Sequence, residues 1–97
     1  MQFNYFNMEE DKHVDLKGYR PIAVITSFQK DGRFIPLKAQ IDTEEEQVVI
    51  DIVQVGKIEE TSEMIYFDCM YPQEGSLRPI RLYYLIKQHQ WVLRSVS

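Results

Sequence analysis

Alternating apolar and polar residues, interrupted at short intervals by turn-forming residues, run through most of this chain and restrict its fold more than any other feature. The pattern occurs in six consecutive segments, which span residues 20–28, 33–41, 47–58, 63–71, 78–87 and 90–94. Alternation with a period of two places apolar side chains on one face of a β-strand. Because the connections are only a few residues long, consecutive strands are expected to pair, and the sequence predicts an all-β antiparallel meander.

A six-stranded meander has one large apolar face that must be covered. A sheet that curls on itself covers this face, so we predict a small, partly open β-barrel or a two-sheet roll. In the third segment the apolar phase slips from Ile52 to Val53, and Gly56 follows. These features predict a bulge or bend near residues 54–56, which would let the long strand turn as the sheet closes.

The first two segments differ in their predicted burial. The first is apolar and β-branched on both alternating sets, so it is expected to be buried on much of both faces. The second contains Pro36, which cannot donate a hydrogen bond to a neighbouring strand, and is predicted to be an edge or to carry a bulge there. Its alternation assigns Ile35, Leu37, Ala39 and Ile41 to one face.

Apolar side chains of the last three segments supply much of the predicted core. Ile65, Phe67 and Cys69 alternate onto the inner face of the fourth segment, and Trp91 and Leu93 are expected to point inward from the last strand. The two faces of the fifth segment are predicted to carry Ile80, Leu82, Tyr84 and Ile86 on one side, and Arg81, Tyr83, Leu85 and Lys87 on the other.

The N-terminal part of the chain lacks the strand pattern. We predict that residues 1–19 form an arm or a short helix, and that residues 20–97 form a single β-barrel-like domain. Asn7 followed by Glu10 has the spacing of a capping box, which favours the start of a helix. Three aromatic residues among the first six are expected to plug an end of the barrel or to contact another chain.

A short motif spans the first two segments and the last one. An Asp-Gly-Arg turn precedes a strand containing Pro-Leu, and a tryptophan lies in the final strand; these residues are Asp31, Gly32, Arg33, Pro36, Leu37 and Trp91. In this respect residues 20–94 resemble a group of small all-β bacterial proteins of uncharacterised function. The resemblance implies a β-rich fold and no particular activity.

The sequence contains few residues suited to catalysis or metal binding. Its single cysteine, Cys69, falls on the predicted apolar face, where a thiol stays protonated and unreactive. We therefore do not expect Cys69 and His89 to act as a nucleophile and its base. Metal sites need clustered ligands and phosphate-binding loops need several neighbouring glycines, and neither pattern is present. These features predict no catalytic residue, no metal, no cofactor and no enzymatic activity.

The chain is expected to be cytoplasmic. A lone cysteine cannot form an intramolecular disulfide, which is typical of proteins from a reducing compartment. No run approaches the roughly 18 apolar residues of a membrane-spanning helix, and the N-terminus lacks the basic start of a signal peptide. No membrane partner is predicted.

Charge is distributed unevenly along the chain, whose formal net charge is −4. All 15 acidic residues lie in the first 74 positions, whereas residues 75–97 contain four basic residues and no acid. On the terminal hairpin, strand alternation leaves Arg81, Tyr83, Lys87 and Arg94 outside the core. These four residues are the candidate binding strip.

Two kinds of function fit these patterns. The leading hypothesis is a non-catalytic interaction module that binds another protein or itself, using an edge strand and exposed aromatic residues. The aromatic residues expected on this surface are Phe34, Tyr66, Tyr71 and Tyr83. The alternative is binding of single-stranded nucleic acid through the candidate binding strip, provided that acids such as Asp68 or Glu63 on neighbouring strands do not neutralise it.

Overall fold

The computed structural model describes residues 18–94, which form eight β-strands. They are β1 (Tyr19–Pro21), β2 (Ala23–Phe28), β3 (Phe34–Asp42), β4 (Gln47–Asp51), β5 (Gln54–Glu60), β6 (Met64–Gln73), β7 (Ser76–Leu85) and β8 (Gln90–Arg94). The all-β prediction is confirmed for this part of the chain. Within it, no helix has the length and apolar character needed to cross a membrane.

The strands form two antiparallel sheets. One sheet has five strands in the order β1-β8-β7-β6-β5, and the other has three in the order β2-β3-β4. Neighbouring strands are mostly consecutive in the chain, as the meander predicts. The exception is the pairing of β1 with β8, which places Tyr19 opposite Arg94.

The structure has eight strands where the sequence predicts six, because two predicted strands each pass from one sheet to the other. The first is divided at Ile22 into β1 and β2, and the third is divided at Ile52 and Val53 into β4 and β5. Strands that bend in this way form the corners between packed sheets. The barrel prediction is therefore wrong, because the two sheets do not close into a barrel. A two-sheet arrangement is the alternative that the sequence predicts.

Backbone hydrogen bonds hold the second corner to both sheets. The N–H of Ile52 donates to the carbonyl of Leu37 at 2.8 Å, in the three-stranded sheet. The next residue, Val53, donates to the carbonyl of Met70 at 3.0 Å, in the five-stranded sheet. Adjacent residues of an extended chain direct their N–H groups to opposite sides, so two consecutive peptide units bond to the two different sheets.

The principal core lies between the sheets. Its buried members are Ala39 and Ile50 from the three-stranded sheet and Phe67, Cys69, Leu82 and Trp91 from the five-stranded sheet. Phe34 joins the two sets, because its ring centroid lies 5.1 Å from that of Tyr84 and 6.0 Å from that of Trp91. The predicted inward positions of Phe67, Cys69 and Trp91 are confirmed. Phe34, which the sequence places on the surface, is instead part of the core contacts.

A second apolar cluster lies on the opposite face of the five-stranded sheet. Its buried members are Tyr83, Leu85 and Val92, and Tyr19, Met64 and Tyr66 pack against them. Because these residues alternate with the core residues of β7 and β8, the sheet is apolar on both faces along these two strands. The predicted division of β7 into two faces is confirmed, but the burial of its second face is not predicted by the sequence.

A bulge in β3 lies beside Pro36, and β3 is the central strand of its sheet. The register with β2 shifts after Ile25, which leaves Leu37 as the extra residue. The predicted bulge is confirmed, whereas the predicted edge strand at Pro36 is wrong. The bulge also changes the phase of the strand, because Pro36 is fully buried and Leu37 is exposed. The predicted common face for Leu37 and Ala39 is therefore incorrect.

The irregularity that the sequence predicts near Gly56 is also present. The register between β5 and β6 shifts between Val55 and Ile58, which flank Gly56 and Lys57. The N-terminal arm or helix, by contrast, is predicted for residues that lie outside the described part of the chain, apart from Gly18 and Tyr19.

Candidate functional site

The four residues of the candidate binding strip do not form one exposed surface. Arg81 and Tyr83 lie on β7, Lys87 follows the end of that strand, and Arg94 ends β8. Arg81, Lys87 and Arg94 are exposed, whereas Tyr83 is only 8% exposed. The one aromatic ring of the strip therefore belongs to the second apolar cluster and offers little surface on which a base could stack.

Arg81 is paired with an acid on the neighbouring strand. The register of β6 and β7 places Asp68 opposite Arg81. The guanidinium donates to Asp68 through two nitrogens, with Nε–Oδ1 and Nη2–Oδ2 distances of 2.6 and 3.2 Å. These hydrogen bonds lower the pKa of Asp68 and raise the pKa of Arg81, so both groups stay charged at neutral pH.

An aromatic ring extends this pair into a network across three strands. The Arg81 guanidinium carbon lies 4.1 Å from the ring centroid of Tyr66, within the range of a cation–π contact. The Tyr66 hydroxyl donates to Glu59 at 2.8 Å, and Lys57 Nζ lies 3.3 Å from the same carboxylate. The hydrogen bond from Tyr66 lowers the pKa of Glu59 and raises the pKa of Tyr66. Two cations and two carboxylates balance in this network, so it carries no excess positive charge for a phosphate.

Arg94 lies near the other margin of the sheet. Its guanidinium carbon is 6.0 Å from the ring centroid of Tyr19, and that ring meets Tyr83 edge to face at 5.4 Å. Tyr83 in turn contacts Tyr66, with ring centroids 6.1 Å apart. The aromatic residues of this face are thus packed against one another, and the basic residues lie at the two ends of the row.

The residues considered for catalysis have separate partners. Burial raises the pKa of the Cys69 thiol to about 11, and Sγ lies 3.5 Å from the carbonyl oxygen of Phe67. His89 Nδ1 lies 3.1 Å from the hydroxyl of Tyr84. Neither arrangement activates a nucleophile, since a thiolate is strongly disfavoured at Cys69. Among residues 18–94, no three His, Cys, Asp or Glu side chains come together in a way that could hold a metal ion.

Two shallow depressions mark the outer faces of the sheets. One, of about 410 Å³, lies beside the bulge of β5 and is bordered by Gly56, Pro79 and the Asp68–Arg81 pair. The charged groups at this depression, Asp68 and Arg81, are already hydrogen-bonded to each other. The other, of about 150 Å³, lies over Ala23 on the outer face of the three-stranded sheet.

The free edge of β2 is a row of backbone groups with no strand beside it in the described part of the chain. Among residues 18–94, β2 pairs with β3 and with no other strand. Its sequence, AVITSF, contains no charged residue, no proline and no glycine. Charged residues and proline usually protect an edge strand from pairing with another chain, so β2 lacks this protection.

Hydrogen bonds at the two ends of β2 show which of its residues face the free edge. The N–H of Ile22 donates away from β3, to the carbonyl of Trp91 at 3.0 Å. The N–H of Gln29 donates toward β3, to the carbonyl of Arg33 at 2.7 Å. Because backbone direction alternates along a strand, the even-numbered residues direct their N–H and C=O groups to the free edge. Within β2 these residues are Val24, Thr26 and Phe28.

Exposed apolar side chains accompany this free edge. Phe28 is 73% exposed and Ile25 is 59% exposed, and Val49 on β4 is 60% exposed. On the outer face, Lys38 of β3 lies between Ile25 and Asp51 of β4, and it pairs with Asp51 at 2.7 Å. The sequence does not predict this surface, because the apolar pattern of residues 20–28 indicates burial on both faces. The absence of charge from residues 21–28 is the signal that points to it.

No family model matches the chain, and the comparisons with curated proteins and with solved structures found no match either. The resemblance to small all-β bacterial proteins therefore stays a prediction. A functional proposal for this chain rests on the geometry of its surfaces.

Proposed function

We propose that the chain is a non-catalytic interaction module that accepts a partner strand along the free edge of β2. The observation that carries the proposal is an uncharged edge strand with the backbone groups of Val24, Thr26 and Phe28 directed away from β3. In strand addition, such groups supply affinity through main-chain hydrogen bonds, and neighbouring side chains supply specificity. The exposed side chains of Ile25 and Phe28 provide apolar contacts at the same place.

The non-catalytic part of the proposal rests on the surroundings of Cys69 and of the Asp68–Arg81 pair. The single thiol has a raised pKa, and the Asp68–Arg81 pair is mutually satisfied. Neither group resembles a nucleophile or a general base poised for proton transfer near neutral pH.

Binding of single-stranded nucleic acid has less support as an alternative. It needs a basic groove together with exposed rings. Arg81 is paired with Asp68, and Tyr83 is buried between Tyr19 and Tyr66. Lys87 and Arg94 are the remaining exposed cations of the strip. Lys87 follows the end of β7, and Arg94 is the last residue of β8.

A labelled peptide tests the proposed edge directly. The probe copies residues 22–28, carries a lysine at each end for solubility, and is followed by fluorescence anisotropy with the full chain. We expect saturable binding, together with shifts of the Val24 and Thr26 amide signals in NMR spectra. Thr26→Pro removes one outward N–H, which edge strands tolerate, and should weaken binding at least about tenfold.

The controls separate edge pairing from non-specific adsorption. A control peptide that differs only by proline at the position of Thr26 lacks an N–H that the ladder needs and should bind much more weakly. The Thr26→Pro chain must keep the circular dichroism spectrum of the native chain. Equal binding of the probe to the native and Thr26→Pro chains would contradict the proposal.

A further inference from the structure

The four edge strands of the two sheets differ in how readily each could pair with the same strand of a second copy of the chain. β1 contains Arg20 and Pro21, β5 contains three charged residues and a glycine, and β4 ends with Asp51 and follows the acidic residues 44–46. Like charges opposite one another, or a missing N–H, disfavour pairing. β2 has neither obstacle. The chain has a net charge of −4, and β2 is the described edge strand along which two copies can pair without placing like charges opposite one another.

We infer that two copies of this chain form a symmetric dimer by pairing their β2 strands antiparallel, with the two-fold axis beside Thr26. The inference rests on the proposed function, since it assigns an occupant to the same free edge. A two-fold contact of this kind is self-complementary, and it closes at two copies. It joins two three-stranded sheets into one continuous sheet, in the order β4-β3-β2-β2-β3-β4.

The register follows from the backbone groups that face the free edge. In an antiparallel pair, alternate residues exchange both of their hydrogen bonds with the residue opposite. Centring the pair on Thr26 places Val24 opposite Phe28 of the second copy and Thr26 opposite its own equivalent, so every outward group of β2 is used. Centring it on Ile25 would place Phe28 opposite Ile22, whose N–H already donates to Trp91.

The same register covers the exposed apolar side chains of β2. Phe28, at 73% exposure, comes to lie beside Val24 of the second copy. Ile25 lies opposite Ser27 of the second copy and diagonal to the second Ile25, on the outer face of the joined sheet. Paired threonines at the axis add a favourable cross-strand contact.

The extent of the contact sets the expected affinity. Two strands of six residues form a contact at the small end of specific interfaces, below about 1,200 Å² of buried surface. We therefore expect a reversible dimer at micromolar to millimolar concentrations of the chain. Sedimentation velocity between roughly 1 μM and 1 mM should show a monomer–dimer equilibrium without larger species. A monomer throughout this range, or an open-ended series of oligomers, would overturn the inference.

Matched lysine substitutions would test whether the contact lies on β2. Ile25 and Val49 are almost equally exposed, at 59% and 60%, and lie on opposite edge strands of one sheet. Ile25→Lys brings two ammonium groups together near the axis and should weaken the dimer at least about tenfold. Val49→Lys adds the same charge far from the axis and should leave the dissociation constant within about twofold. Equal weakening by both substitutions would overturn the assignment to β2.

Engineered disulfides test the register. Directly opposed residues of a non-hydrogen-bonded pair have Cα atoms about 4.5 Å apart, which a disulfide can bridge. In a Cys69→Ala background, the double variant Ile25→Cys with Ser27→Cys should oxidise to a covalent dimer. Ile25→Cys alone should cross-link more slowly, and the double variant Val49→Cys with Asp51→Cys, which has the same spacing on β4, should not.

The outcomes distinguish failure of the dimer from failure of edge docking. Faster cross-linking of Ile25→Cys alone than of the double variant would overturn the register centred on Thr26. A chain that is monomeric but still binds the labelled peptide at its β2 edge would refute self-pairing and leave edge docking intact. A chain that is monomeric and does not bind the peptide would refute both proposals.

Discussion

At the scale of single residues, Asp51 and Asp68 show how one ion pair can be more tightly held than another. Each lies opposite a cation on the adjacent strand, Lys38 for Asp51 and Arg81 for Asp68. Lys38 makes one contact to Asp51, whereas Arg81 contacts both carboxylate oxygens of Asp68 and lies over Tyr66. The flat guanidinium is held by a ring on one side and a carboxylate at its edge, which restricts its rotamers.

This difference predicts an acid-sensitive contribution from Asp68. Its folded-state pKa is lowered below the ordinary value of 3.8, mainly by hydrogen bonds from Arg81. A lowered carboxyl pKa stabilises the fold above the ordinary value, and this contribution is lost as the pH falls through the folded-state pKa. Asp68→Asn should therefore lower the urea midpoint at pH 7, and the gap from the native chain should narrow below about pH 4.

Asp51→Asn is the matched control for Asp68→Asn. It removes an equally charged group from a more exposed ion pair. Its effect on the urea midpoint at pH 7 should be the smaller of the two. Equal midpoints for the two variants at pH 7 would show that the Arg81–Tyr66 arrangement adds nothing to the fold.

At the scale of elements, the β6–β7 hairpin has a turn whose residues only partly suit its geometry. Gln73 pairs with Ser76, so Glu74 and Gly75 form the whole turn. Both have positive φ angles, of 52° and 81°, as a two-residue type I′ turn requires. Glycine adopts this conformation at little cost, whereas glutamate does not. The turn therefore keeps a strained residue at its first position.

Asparagine at position 74 should relieve this strain. Asn-Gly is the preferred pair for this turn, so Glu74→Asn is expected to stabilise the chain by about 0.5–1 kcal/mol in thermal or urea unfolding. Glu74→Gln removes the same charge without asparagine's preference for positive φ, and should change stability by less than about 0.5 kcal/mol. If the two variants are equally stabilised, charge rather than backbone conformation is responsible.

The elements also show what sequence can and cannot reveal. Alternation predicts the inward residues of β6, β7 and β8, such as Phe67 and Trp91, because each strand keeps one phase along its length. It misses the corner at Ile22, since a strand that changes sheets stays apolar and extended in sequence. Which strand lies at an edge depends on pairing between distant segments. For this reason the sequence places the edge at Pro36, whereas in the structure β2 is an edge strand.

At the scale of the whole molecule, the two sheets are held together by the contacts of a few large side chains. Phe34 belongs to β3, yet its ring lies 5.1 to 6.0 Å from the rings of Phe67, Tyr84 and Trp91 in the other sheet. Aromatic contacts of this kind add to the area that each ring buries. Phe34 thus connects the two layers at one end of the core.

Removing the Phe34 ring should weaken the packing between the two sheets and so lower the free energy of unfolding. We expect Phe34→Ala to lower the free energy of unfolding by about 2–4 kcal/mol, measured in urea at a chain concentration well below the dissociation constant of the dimer. Phe28→Ala deletes the same side chain from a largely exposed position and should cost less than about 1 kcal/mol. Similar losses from both variants would mean that Phe34 does not link the sheets.

The pairing of β1 with β8 has a consequence for how the chain is made. Ribosomes synthesise a chain from its N-terminus, so the hairpin of β2 and β3 and the hairpin of β6 and β7 can form soon after they emerge. Tyr19 must wait for Arg94 before β1 has a neighbour. Contacts between distant segments pay a loop-closure cost and form slowly. During synthesis, β1 therefore stays without its neighbouring strand until β8 has emerged, and the five-stranded sheet is completed only then.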